Sequence, residues 1–366
     1  MTIIGASPAA ANDFRSDSVT LPTREMMAAT AAARLGDSAR GDDPTVNELE
    51  ALARELTGKE DALFLPSGVM ANLAALIAHD CRGGEVIVEE AAHIYNAEGG
   101  GLSAVAGAVA RPVKSTRGVL AARDVEAELV GRADLALAPT RLICLENTHN
   151  ASGGTVLPLN NLQDIYYLAQ RAEIPVHLDG ARLFNAATHL NVPVGELCRH
   201  VDSVWFALCK GLCAPVGAIL AGNREFMIRA RRAARMLGGG MRQAGLIAAP
   251  AIVALRMDPY SVHRRDHALA QKLARGLAGI DKALVDVERV QTNIVNCFVD
   301  RYADDSAGIV GALRERGVLV IGKRSKIRFV THAQVNDAAV DAAVNTFAEV
   351  IHSLPKRETP DQRRAA

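Results

Sequence analysis

"DSVWFALCKGLCAPVGAIL", residues 202–220, sets a single lysine, Lys210, between an apolar run and a turn of small residues. Val204 to Cys209 behind it read as a strand. Gly211, Cys213, Ala214, Pro215 and Gly217 ahead of it leave a space that nothing bulky fills. Alone, Lys210 reads as a solvated surface lysine, because lysines are mostly exposed. The surrounding sequence gives it a second reading.

Strand-like runs alternate with amphipathic helices on either side. "DPTVNELEALARELTG" (43–58) places Val46, Leu49, Leu52 and Leu56 on one helical face and ends at Gly58. "DALFLP" (61–66), "EVIVEE" (85–90), "RLICLEN" (141–147), "IPVHLDG" (174–180) and "DSVWFALCK" (202–210) read as strands. "SGVMANLAALIAHD" (67–80), "LQDIYYLAQRAE" (162–173) and "REFMIRARRAARML" (224–237) read as helices. This alternation predicts an α/β fold with a mainly parallel sheet. After residue 258 the pattern changes to a long helix, "SVHRRDHALAQKLARGLAGI", then "VQTNIVNCFVD" and "SKIRFVTH". The expected division is a loose arm at 1–13, a large domain at 14–258, a small α+β domain at 259–355 and a polar tail at 356–366.

With 366 residues, 49% hydrophobic and 22% charged, the chain can bury a large core. Lys+Arg and Asp+Glu both number 41, so global charge points to neither nucleic acid nor an anionic membrane. None of the six cysteines falls in a C-x-x-C pair, which fits reduced thiols in a cytoplasmic protein. "MTIIGASPAAANDF" has neither a basic start nor an apolar core, so no signal peptide is expected. "GLIAAPAIVAL" is too short to span a bilayer.

Functional groups of α/β sheets gather at the carboxyl ends of the strands. Ser67 and Gly68 follow the first strand and open a helix, a seat for phosphate. His93 follows the second strand, Asp179 and Arg182 follow "PVHL", and Lys210 follows "DSVWFALC". An anion cup, an aromatic plate, a carboxylate, an arginine and a lysine together describe a pyridoxal 5′-phosphate site. The lysine forms a Schiff base with the aldehyde, Asp179 keeps the pyridine nitrogen protonated, His93 stacks, and Arg182 clamps a carboxylate. Each residue also has a plain structural reading: a half-buried histidine, an Asx-turn aspartate, a salt-bridged arginine. Arg242 in "LGGGMRQAG" sits badly at a helix start unless an anion is near. "EGGGLSA" lacks the preceding strand of a dinucleotide fold. His263 and His267 lack a third ligand for zinc, so no metal is expected.

In order along residues 14–335, "FRSDSVTLPT", "GDDPTVNELE", "ALFLPSGVMANLAAL", "AAHIYNAEGG", "LICLENTHNASGGTVLPL", "VHLDGARLFNAA", "CKGLCAPVGAILAG", "RMLGGGMRQAG", "VQTNIV" and "IRFVTH" closely resemble the threonine aldolases. That family consists of fold-type I pyridoxal-phosphate enzymes of the aromatic amino acid β-eliminating lyase group. The resemblance implies Lys210 as the Schiff-base lysine, Asp179 at the pyridinium and His93 stacked near the substrate hydroxyl. It implies Ser16, Arg182 and Arg328 on the substrate carboxylate. It places phosphate on Ser67, Gly68 and the Val69 amide, with Arg242 donated by a neighbouring subunit of a homotetramer built from dimers. The implied reaction is retro-aldol cleavage of an L-β-hydroxy-α-amino acid to glycine and an aldehyde. β-Elimination, racemisation or transamination on the same scaffold is the alternative, and a non-catalytic binding protein the third reading.

Departures from the family are specific. Arg40 replaces a usual tyrosine near the substrate, Val69 a threonine, Arg235 a phosphate-binding lysine, and Cys209 and Cys213 a serine and a glycine. Ala136 replaces a second hydroxyl-binding histidine. From Ala136 and Arg40 we expect a roomier, more cationic pocket that accepts bulkier or acidic β-substituents.

Overall fold

The computed structural model describes residues 12–131, 133 and 135–355. The tail expected at 356–366, and all but the last two residues of the arm expected at 1–13, lie outside them. Two compact units are present, one holding Pro22–Tyr260, the other joining the segment that ends at Leu21 to the segment from Ser261 on.

The first unit is built on seven strands: β1 (Asp61–Leu65), β2 (Glu85–Glu89), β3 (Val109–Val113), β4 (Thr140–Glu146), β5 (Val176–Asp179), β6 (Ser203–Ala207) and β7 (Ala218–Gly222). Their order across the sheet is β1-β7-β6-β5-β4-β2-β3. The pairings among β2 to β6 are parallel, whereas β7 runs antiparallel to both β1 and β6. All strands except β7 therefore end at one edge, and β7 begins there. β2, β5, β6 and β7 are buried along their whole length, as strands covered on both faces must be.

The sequence reading misses two strands. β7 is hidden among small residues and belongs to a hairpin rather than a helical crossover. β3 contains Arg111-Pro112, which reads against a strand, but β3 is an edge strand, where a missing amide is tolerated.

The second unit has an antiparallel sheet in the order β8 (Ile294–Phe298), β10 (Lys326–Val330), β9 (Ile321–Lys323), with helices Ala307–Glu315 and Asp337–His352. Its core stacks Phe14, Phe329 and Phe347 edge to face, with centroids 6.0 Å apart at each step. Placing Phe14–Leu21 in the large domain needs correction. The Phe14 amide donates to the Leu319 carbonyl and its own carbonyl accepts from Val330, which ties this segment to the second unit. Among the described residues no helix is long and apolar enough to cross a membrane.

Candidate active site

The ends of β1, β2, β4, β5 and β6 bring together most of the expected residues. Ser67 caps the helix Gly68–Ala78, its hydroxyl accepting from the Met70 amide at 3.2 Å. The amides and the positive dipole end of that helix suit an anion. Gly68 is required there, since a Cβ would lie 2.2 Å from Cη2 of Trp205. Val69 is exposed beside it.

Asp179 closes β5 and is buried. Its Oδ1 accepts from the Ala181 amide at 3.1 Å and its Oδ2 from Nδ2 of Asn72 at 3.0 Å. The same Asn72 nitrogen reaches Oε1 of Glu98 at 2.8 Å, and this oxygen also faces Nδ1 of His93 at 2.9 Å. The His93 amide donates to Oε2 of Glu146 at 2.6 Å. Ligand-type atoms of His93, Glu98 and Asp179 thus lie within 4.8 Å of one another, linked by hydrogen bonds. The Glu98 bond raises the His93 pKa against the opposing effect of burial. Burial raises that of Glu98, whose Oε2 has no hydrogen-bond partner among the described residues.

The segment after β4 carries the arginine's support. Nη1 of the buried Arg182 donates to Oδ1 of Asn150 at 3.2 Å, and the Asn150 amide donates to Oε1 of Glu146 at 2.7 Å. His149 locks the segment, with Nε2 at 2.9 Å from Glu89 and Nδ1 at 2.9 Å from Ser152. Lys210 follows β6, three residues past Ala207, with Nζ 6.0 Å from the Trp205 ring centroid. Cys213 is buried with φ +61°, a left-handed conformation that favours glycine. That backbone accounts for the glycine usual at this position; for Cys209 the structure offers no comparable reason.

Arg40 and Arg242 form a separate cluster. Nε of Arg40 lies 3.3 Å, and Nη1 of Arg242 2.7 Å, from the same oxygen of Asp37. Arg235 borders a nearby cavity of about 130 Å³ with Ser38, Asn47, Glu50 and Arg231. Ser16 and Arg328 belong to the second unit, where Ser16 caps the Ser18 amide and Arg328 donates to the Arg15 carbonyl. The expectation for Ala136 needs correction. It lies in an exposed segment before β4, whereas the site follows the other end of that seven-residue strand, about 20 Å away. Alanine there does not enlarge this chain's own site.

Asn72, Glu98, Glu146, Asn150 and Trp205 are site residues that the sequence reading passes over. A polar asparagine inside the apolar helix "GVMANLAALIA" is the one signal that could have marked any of them.

A model of the beta-eliminating lyases matches residues 13–300. The low-specificity L-threonine aldolase 1 of Arabidopsis thaliana is 40% identical, covering 93% of this chain and 97% of its own. The alanine racemase TOXG of Cochliobolus carbonum is 31% identical over 96% of this chain and 90% of its own. The threonine aldolase of Leishmania major shares the fold, with TM-score 0.78 at 19% identity over 93% of this chain and 99% of that one. On the family match over residues 13–300 and the identity with a threonine aldolase along nearly the whole chain, the chain belongs to the beta-eliminating lyase family, in its threonine aldolase branch.

Proposed function

We propose that this chain is a pyridoxal-phosphate lyase that cleaves L-β-hydroxy-α-amino acids of the threonine and allo-threonine type to glycine and an aldehyde. The observation that carries the reading is a buried Asp179 with a donor on each oxygen, at the same sheet edge as Lys210, His93 and the Ser67-Gly68 helix start. These residues fit the cofactor: an anion seat, a carboxylate for a cationic ring nitrogen, and an amine next to small residues. Bound pyridoxal phosphate supplies an aldehyde and an electron-withdrawing ring that weakens a bond to the substrate's Cα.

The chain's own side chains do the rest. Arg182, aimed by Asn150, holds the substrate carboxylate and so selects which Cα bond is presented for cleavage. His93 takes the β-hydroxyl proton on Nε2, because Nδ1 is engaged by Glu98. Loss of that proton lets the aldehyde leave, and Cα then gains a proton to give glycine. Arg40, held by Asp37, serves an acidic β-substituent only if it leaves that partner.

The proposal extends to a cytoplasmic homo-oligomer, with Arg242 completing the phosphate site of a neighbouring protomer and Arg235 as a further phosphate-binding residue. It rests on Arg242 being exposed at a helix start, beside an acidic residue that an anion could replace. A second reading, racemisation, draws on the identity with the alanine racemase. One assay separates them. Threonine, allo-threonine, phenylserine, 3-hydroxyaspartate and alanine are offered, and glycine, pyruvate and D-alanine are measured. Glycine from the first two supports the aldolase. D-Alanine or pyruvate without glycine overturns it.

A further inference from the structure

One buried amide touches two carboxylates of this site, Asp179 and Glu98. Oδ1 of Asn72 lies 2.7 Å from the indole Nε1 of Trp205, the chain's single tryptophan. An indole nitrogen only donates, so this contact fixes which end of the amide is oxygen. Nδ2 must then be the atom facing Oδ2 of Asp179 at 3.0 Å and Oε1 of Glu98 at 2.8 Å. Nε2 of His177 lies 3.2 Å from the same Oδ1 and must carry a hydrogen.

The order continues behind it. Burial keeps His177 neutral, with its pKa pushed down to about 3, so its Nδ1 is an acceptor. It takes the hydroxyl hydrogen of Ser203 at 2.8 Å, and the Ser203 oxygen accepts from Nε2 of His79 at 2.7 Å. Every donor in the series His79, Ser203, His177, Asn72 points towards the two carboxylates, and none points back.

We infer that Asn72 is a positioning residue for the reaction proposed above, its oxygen pinned by Trp205 and His177 so that its two hydrogens hold Asp179 and Glu98 as acceptors together. An amide can do this because it joins two acceptor lone pairs to two donor hydrogens; aspartate has at most one hydrogen to give and leucine neither kind of group. Asp179 is thereby kept ready for a cationic ring nitrogen, and Glu98 is kept accepting from His93.

The inference rests on the functional reading only for its cofactor arm. In the cofactor-free protein, ¹⁵N NMR of labelled histidines should show His177, identified by its loss in His177→Gln, as the neutral Nε2–H form between about pH 5 and pH 9. The Nδ1–H form would overturn the inference with no variant needed. Asn72→Asp keeps an oxygen for Trp205 and His177 but leaves, once protonated between two carboxylates, a single hydrogen for two acceptors. It should bind pyridoxal phosphate at least about tenfold more weakly, with the Trp205 emission of the cofactor-free protein unchanged. Wild-type affinity in Asn72→Asp overturns the inference. Asn72→Leu should shift Trp205 emission to shorter wavelength; unchanged emission also counts against it. Should Asn72→Asp fail to fold, the His177 tautomer still decides. Wild type that takes up no pyridoxal phosphate sinks the functional reading and leaves the NMR result to judge Asn72.

Discussion

Nδ1 of His93 and Oε1 of Glu98 face each other at 2.9 Å, and the carboxylate lifts the imidazole above its ordinary pKa. A base must be neutral to accept a proton, so a raised pKa places the acid limb of the activity profile higher in pH. Glu98→Gln keeps an acceptor and removes the charge. Its kcat/KM limb should move to lower pH, as read by a pH-rate profile on allo-threonine. An unmoved limb would mean that His93 is not the titrating base.

Gly68 faces the Trp205 ring, where a Cβ would lie 2.2 Å from Cη2. Overpacking of this kind costs about 1–3 kcal/mol. Gly68→Ala should lower the melting temperature of the cofactor-free protein and weaken phosphate binding at the helix start. A melt equal to wild type would show that the indole gives way.

Cys213 is buried at φ +61°, where side chains branched at Cβ are the worst tolerated. Cys213→Gly should retain activity and melt close to wild type, since relief of the backbone offsets the lost thiol packing. Cys213→Val, though similar in size, should destabilise by roughly 2 kcal/mol in denaturant titration. Equal stability of the two variants would refute the backbone argument.

In the second unit, burial lifts Asp266 to about 7 from 3.8, and Arg265 offsets this only in part. A carboxyl raised on folding favours the folded state while protonated. That contribution is complete below the unfolded pKa and is lost as pH rises to about 7. Wild-type stability should therefore fall across this window, and Asp266→Asn should remove the fall, gaining on the order of 2–4 kcal/mol at pH 8. Parallel pH curves for the two proteins would contradict this.

If Arg242 serves a neighbouring protomer, Arg242→Ala and Lys210→Ala are each inactive, but their mixture is not. Random exchange puts both lesions in one site of a mixed dimer and leaves the other intact. Activity should recover to about a quarter of wild type. No recovery, with exchange confirmed by mass spectrometry, would place Arg242 outside a partner's site.

The residues proposed to touch cofactor or substrate within the first unit were legible because strand ends announce themselves: Asp179 after "PVHL", Lys210 after "FALC", His93 after "VIVEE". Their supports were not. Asn72 meets Asp179 and Trp205 only because β5 and β6 are neighbours beneath the helix that carries it, and strand order is not written in local periodicity. The same reason hid Phe14, whose partners Leu319 and Phe329 lie at the far end of the chain. Ala136 misled in the opposite way. It aligned with a functional position, yet it precedes β4 while the site follows that strand.

The antiparallel β7 also sets a timetable for synthesis. β1 lies at the edge of the sheet and pairs only with β7, Asp61 facing Gly222 across about 160 residues of intervening chain. β1 therefore joins the sheet only once the ribosome has released β7, after every other strand of the sheet. A nascent chain stalled before residue 218 would hold the Gly68–Ala78 helix through Trp205, Asp179 and Glu98 but leave the strand before it without a sheet partner. Closure of the sheet thus falls at the end of this unit's synthesis, because closing so long a loop comes late.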